Sequence, residues 1–219
     1  MWSMSRTIVA IAPILGLVFA LVWWVGRHAL EPERRPVEVV AQAAGLPIAA
    51  QDPLEVVDTE DDRRIFREKM AWARAERLDT LPVGEIVARL GRTFVGTTYT
   101  PGTLEVDGPE RLVVNLRELD CVTFVESVLA MARLIRDGRF DDYDAYTREL
   151  ARIRYRNGVI DGYPSRLHYF SDWIADGEAK GIVRDVTREL GGVPDAEPVD
   201  FMSTHPDAYR QLADPAVLA

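Results

Sequence analysis

A single cysteine, Cys121, lies in the run Leu119-Asp120-Cys121-Val122-Thr123-Phe124-Val125-Glu126 of a 219-residue chain. Asp120 is a favoured N-cap type, and the apolar residues Val128, Leu129, Met131, Ala132, Leu134 and Ile135 continue a helix to Asp137-Gly138. The spacing predicts a thiol in the first turn of that helix. There it meets the positive end of the helix dipole and unpaired backbone N–H groups, both of which favour the thiolate. The N–H of Cys121 is also placed to hold charge that develops on a carbonyl oxygen under attack, often a large catalytic term. Position alone leaves two readings open. One is a nucleophile, and the other is an inert cysteine packed in an apolar interior, since free Cys is among the most buried residue types.

The remaining chemistry-bearing residues are few. One cysteine excludes an intramolecular disulfide framework and a Cys-rich zinc site, and the three histidines, His28, His168 and His205, have no metal-ligand spacing. No metal or cofactor is therefore expected. A cysteine nucleophile needs a base, commonly a His oriented by a third polar group, and only His168 and His205 follow Cys121 in the chain.

The elements that must position these groups can be read from periodicity. The cysteine helix is apolar on nearly every side, which belongs to a helix in the middle of a domain. Before it, Thr59 and Asp62 give a helix-start signal for an amphipathic helix to about Arg77, and a second helix starts near Thr80 with Pro82 in its first turn. Leu112 to Leu116 reads as a short strand, and Tyr143 to Tyr155 as an amphipathic helix. Ile182 to Thr187 and Val199 to Met202 read as short strands around a turn at Gly191-Gly192-Val193-Pro194. Helices with short strands of this kind give an α+β domain.

The chain divides into three parts. From Ile8 to Gly26 it carries no charge, and Trp23 and Trp24 stand near one end, so residues 1–30 are expected to form a transmembrane anchor. Residues 31–58, with Pro32, Pro36, Pro47 and Pro53, form a flexible linker, and residues 59–219 form the domain. A cleaved signal peptide is the alternative, although the nearest small-residue pattern, Ala41-Gln42-Ala43, lies far downstream. Arg27, Arg34 and Arg35 follow the apolar segment and Arg6 precedes it, which by itself would place the domain in the cytoplasm. The net charge of −9 argues against a nucleic-acid partner and against attraction to an anionic membrane surface. A hydrophobic share of 47% with 28% charged residues is that of a folded globular chain.

The segment Leu119 to Glu126 resembles the cysteine motif of the N-acetylmuramoyl-L-alanine amidase-like family, a branch of the NlpC-type, papain-like cell-wall hydrolases. Phe94-Val95-Gly96-Thr97-Thr98-Tyr99 with Gly102-Thr103-Leu104-Glu105 is similar to the segment ahead of the nucleophile. Asn157-Gly158, then Asp161 through Trp173, and Phe201-Met202-Ser203-Thr204-His205-Pro206 are similar to the motifs after it. The likeness runs from about Asp62 to the end of the chain.

The resemblance implies a papain-like α+β fold in which the cysteine helix packs on a small antiparallel sheet. It implies an activity on amide bonds of peptidoglycan, with Cys121 as nucleophile and Tyr99 lining the site towards the oxyanion. Ser165, Arg166 and His168 would bind substrate, the Arg clamping a wall-peptide carboxylate in bidentate fashion. A bacterial inner-membrane protein with its domain in the periplasm follows, or an exported periplasmic one. The resemblance also leads one to expect further strands, one bearing a His, after Ala219. The domain is thus expected to be incomplete at its C-terminus, either as a fragment of an enzyme or as a shortened relative that binds wall peptides without cutting them.

Overall fold

Thr59 accepts the N–H of Asp62 on its hydroxyl while the Asp62 carboxylate accepts the N–H of Thr59 at 3.0 Å, and this reciprocal cap starts helix α1, Glu60–Ala75. The computed structural model describes residues 54–193, 195, 197–214 and 217. The expected anchor, residues 1–30, and most of the expected linker lie outside the described residues. Among the described residues no helix is long and apolar enough to cross a membrane. Val56–Val57, at the end of the expected linker, forms strand β1 and so belongs to the folded part.

The order continues with α2 (Val83–Arg92), β2 (Thr98–Tyr99), β3 (Leu112–Val113), β4 (Glu118–Leu119), α3 (Cys121–Arg136), α4 (Tyr143–Arg154), α5 (Phe170–Ala179) and a short α6 (Phe201–Thr204). Single 3-10 turns stand at Leu78–Thr80, Arg156–Gly158, Tyr163–Ser165, Pro206–Ala208 and Arg210–Ala213. α2 begins after Pro82, which serves as its N-cap, and not at Thr80 as expected. Strand β3 is shorter than the expected Leu112–Leu116.

Helix α3 is the centre of the molecule, packed against α1, α2 and α4. Val128, Met131, Ala132 and Ile135 meet Phe66 and Met70 of α1, Ile86 and Leu90 of α2, and Leu150 of α4 in one buried cluster. Removing the larger of these side chains, all but Ala132, from water supplies on the order of 1.5–3 kcal/mol each, which fixes the helix that carries the thiol.

Two strand pairs flank this core. β1 pairs with β3, and β2 pairs with β4, both in parallel. These pairings, and not an antiparallel sheet, are what the described residues form beside α3. An isolated antiparallel bridge joins Tyr155 to Arg166. The strands expected at Ile182–Thr187 and Val199–Met202 are replaced by turns and by α6. At the first, the chain closes α5 instead: the N–H of Ile182 donates to the Gly177 carbonyl at 2.8 Å, next to Gly181 at φ +64°.

Candidate functional site

The β2–β4 register places Tyr99 opposite Leu119, two residues before the thiol. The N–H of Thr100 donates to the Leu119 carbonyl at 3.1 Å and extends the pairing. β4 then leads into α3 through Asp120. Its Oδ1 accepts the N–H groups of Val122 and Thr123 at 3.0 and 2.8 Å, and the Thr123 hydroxyl accepts the N–H of Asp120 at 2.9 Å. The N–H of Phe124 donates to the Asp120 carbonyl at 3.0 Å. None of these bonds uses the N–H of Cys121, so the cap takes the second and third donors of the helix and not the first.

Cys121 is a free, exposed thiol. It opens into a groove of about 230 Å³ lined by Phe94, Thr97, Tyr99, Leu119, Asp120 and Phe124. Of the expected site residues, Tyr99 and Cys121 are the two that line this groove. Tyr99 is 67% exposed and takes no part in the core. Phe94 and Phe124 meet edge to face at 6.2 Å and form the apolar wall. Gly91 of α2 lets the Phe124 ring lie close, since a Cβ there would stand 3.2 Å from the ring. Among the residues lining the groove there is no histidine.

The other expected site residues lie elsewhere. Arg166, His168, Tyr163, Tyr169 and Met202 line a separate cavity of about 220 Å³, with an Arg156–Asp172 ion pair at 3.2 Å. His168 Nε2 is 3.0 Å from the Tyr163 carbonyl. Burial pushes the His168 ring below the usual imidazole range, so it is neutral near pH 7. Ser165 does not line this cavity. Its hydroxyl accepts the N–H of Asp161 at 3.0 Å and donates to the Gly162 carbonyl at 2.7 Å, closing a turn. His205 bonds within its own turn, 2.9 Å from the Thr204 hydroxyl, and stacks on Phe201.

Arg166 is buried and its charge is already matched. Its guanidinium donates to the Glu105 carboxylate and, at 3.3 Å, to the Leu104 carbonyl, and its Nε is 3.6 Å from Glu110. Glu110 in turn accepts the Tyr155 hydroxyl at 2.8 Å, and burial raises its carboxyl above the usual range. A second buried pair lies beneath the cysteine helix, with Arg154 Nε 2.7 Å from Glu126 and Arg154 Nη1 2.6 Å from the Val113 carbonyl. The sequence reading missed both pairs. Glu126 had a visible signal, a charge inside an otherwise apolar helix, whereas Glu105 stood out only as part of the segment Gly102-Thr103-Leu104-Glu105 and nothing local marks Glu110.

A larger surface depression of about 530 Å³ is lined by Arg74, Phe140 and Asp141 among others, but its charges pair with one another, Arg74 with Asp141 and Arg139 with Asp142. Among the described residues no group of three or more His, Cys, Asp or Glu side chains could hold a metal ion.

Residues 89–218 match the family model described as AmiA-like, N-acetylmuramoyl-L-alanine amidase-like. Two crystal structures of an N-acetylmuramoyl-L-alanine amidase from Bacteroides uniformis are similar to the chain, each at 42% identity, with TM-scores of 0.56 and 0.55. In both, the match covers 62% of this chain and 57% of the other. A Bacteroides fragilis protein described provisionally as a xylanase is 45% identical, with a TM-score of 0.54, over 58% of this chain and 56% of that one. The chain thus spans little more than half the length of these solved relatives. No curated protein matches it.

Proposed function

The chain belongs to the N-acetylmuramoyl-L-alanine amidase-like family, and from that premise we propose that it is a cysteine-dependent amidase acting on peptidoglycan, at the amide between muramic acid and L-alanine or at a nearby peptide bond. The observation that carries this reading is the exposed Cys121 at the first position of α3, in a groove shared with Tyr99. An NlpC-type, papain-like arrangement of the domain is part of the same proposal, supported by the buried helix that presents the thiol at its N-terminus.

In this reaction the Cys121 sulfur attacks the amide carbonyl carbon, forming a C–S bond. The C–N bond breaks as the leaving amine takes up the proton that the thiol gives up, and water then hydrolyses the thioester to a carboxylic acid and the free thiol. The N–H of Cys121 and the Tyr99 hydroxyl are the donors in this groove assigned to the oxyanion. The apolar wall of Phe94 and Phe124 keeps water from one side of the reacting carbonyl.

A second reading, a module that binds wall peptides without cutting them, is favoured by one observation. The groove residues include no imidazole, and the Asp120 carboxylate is committed to the helix cap. Incubating the protein with muropeptides and following peptide release by mass spectrometry separates the two. For the amidase, release is expected and Cys121→Ala lowers it by more than about a thousandfold, as removal of a nucleophile does. Equal release by both proteins rejects the cysteine mechanism, and sedimentation with wall fragments without release supports the binding module.

A further inference from the structure

The segment from Thr100 to Glu110 connects Tyr99 of the groove to β3, and its exposed stretch is held by local turns, with the N–H of Glu105 donating to Gly102 and that of Val106 to Leu104. Such turns do not tie the segment to the domain. Its ends are held by the Thr100 N–H on the Leu119 carbonyl at 3.1 Å and by the Tyr155 hydroxyl on Glu110 at 2.8 Å, and Gln211 reaches the Val106 carbonyl at 3.5 Å. Between them Arg166 makes the charged contacts: its guanidinium reaches the Leu104 carbonyl at 3.3 Å, bonds the Glu105 carboxylate and faces Glu110 at 3.6 Å.

Arg166 itself is fixed from behind. Its backbone bridges to Tyr155, the next N–H, that of Leu167, donates to the Arg154 carbonyl at 3.0 Å, and its guanidinium lies 4.8 Å from the Tyr163 ring centre. Arg154 then pairs with Glu126 of the cysteine helix. A continuous chain of bonds therefore runs from the helix bearing Cys121 to the loop following Tyr99.

A guanidinium that clamps a ligand carboxylate must present free donors to solvent. Arg166 presents almost none: its side chain is 6% exposed and faces two carboxylates, Glu105 and Glu110. Adding a third carboxylate at this guanidinium would set it against two like charges already in place. We propose that Arg166 is a positioning residue, pinning the loop at Leu104–Glu105 so that Tyr99 keeps its place beside Cys121, and that it does not clamp substrate. This deepens the amidase reading of the same groove and rests on it for the kinetic consequence, but the structural claim stands in the ligand-free protein.

Hydrogen exchange of the full chain, without ligand, tests the structural claim in Arg166→Gln, Arg166→Lys and Glu105→Gln. Amides of residues 103–106 are expected to exchange about tenfold faster in Arg166→Gln and Glu105→Gln, while α1 and α3 keep their protection. Arg166→Lys recovers part of the loss, and the double variant is no worse than Arg166→Gln alone, because Arg166→Gln already removes the donor that Glu105 meets. Glu105 is partly exposed, so its variant answers the question even if Arg166→Gln fails to fold.

On muropeptides the two Gln variants are expected to lose kcat by about tenfold or more, and Arg166→Lys less, with KM changed less than about twofold, the signature of a displaced catalytic group. Unchanged loop exchange together with a raised KM makes Arg166 a substrate clamp and overturns the proposal. A uniform loss of protection across all helices overturns it as well, since Arg166 would then be ordinary structural support. If the unaltered protein releases no peptide, the amidase reading fails by itself and the exchange data still decide the role of Arg166.

Discussion

His168 shows how one bond can set the chemistry of a side chain. The Tyr163 carbonyl can only accept, so His168 Nε2 carries the proton and Nδ1 keeps its lone pair. Burial holds the folded ring below its ordinary pKa of about 6.5. Above that pH both folded and unfolded rings are neutral and the full stability is present. As pH falls through it the unfolded ring takes up a proton first, so stability declines until the folded ring titrates as well. Glu110 and Glu126, both raised by burial, act in the opposite sense, because their folded carboxyls protonate before the unfolded ones. The contribution of His168 is therefore read as a difference. Urea melts of the unaltered protein and of His168→Gln, whose amide can still donate to Tyr163, are expected to converge as pH drops from 7 to 5.5. A gap that stays constant over that range means that the ring does not titrate differently in the two states.

At the scale of elements, helix α3 depends on what its two faces meet. Cys121 faces a groove, and Glu126, five residues on and roughly 140° around the axis at 3.6 residues per turn, faces Arg154 in the core. Glu126→Ala leaves a buried guanidinium without its counter-ion and is expected to cost about 3–5 kcal/mol in denaturant melts. The double change Glu126→Leu with Arg154→Met is expected to cost less, chiefly for the Val113 carbonyl left without its donor, about 1–3 kcal/mol. Equal losses in the single and double variants contradict this. The helix itself was legible in the sequence, because Asp120 is a strong local cap and the apolar spacing after it is unbroken. The strand expected at Ile182–Thr187 was not. It is rich in β-branched residues, Ile182, Val183, Val186 and Thr187, as strands are, yet Ile182 is buried by closing α5 and the Thr187 carbonyl is taken by the N–H of Gly192 at 2.8 Å. Side-chain pattern cannot tell a pleated pair from an apolar residue tucked beneath a helix end, since the deciding bonds are to backbone groups several residues away. The same limit hid the parallel pairing of β2 with β4, two-residue strands too short to carry a period.

Across the whole molecule, four of the site residues expected from sequence divide between two cavities, Cys121 with Tyr99 in one and Arg166 with His168 in the other, while Ser165 closes a turn outside both. Nearness in sequence motif does not convert into nearness in space; Cys121 and Tyr99 were brought together by strand register, and Arg166 was turned inward by two carboxylates about 60 residues earlier in the chain, whose pairing with it no local pattern shows. The uncharged run Ile8 to Gly26 makes a separate demand, and charge decides how to test it. A net charge of −9 opposes adsorption to an anionic bilayer, so electrostatic attraction is a poor means of holding this protein at a membrane. Membrane retention, if it comes from the apolar run, rests on burying about 19 residues in hydrocarbon, which salt does not weaken. Expressed in a bacterium, the full chain is expected to stay in the membrane fraction through washes at high salt and alkaline carbonate and to leave with detergent, whereas a chain lacking residues 1–30 moves to the soluble fraction. Release of the full chain by salt alone contradicts an inserted anchor, and an unaltered distribution after deletion shows that some other surface holds it. Protease added to intact spheroplasts then reports the side: cleavage within Glu60–Thr204 places the domain with the cell wall, where the proposed substrate lies, and protection places it in the cytoplasm, as Arg27, Arg34 and Arg35 would favour.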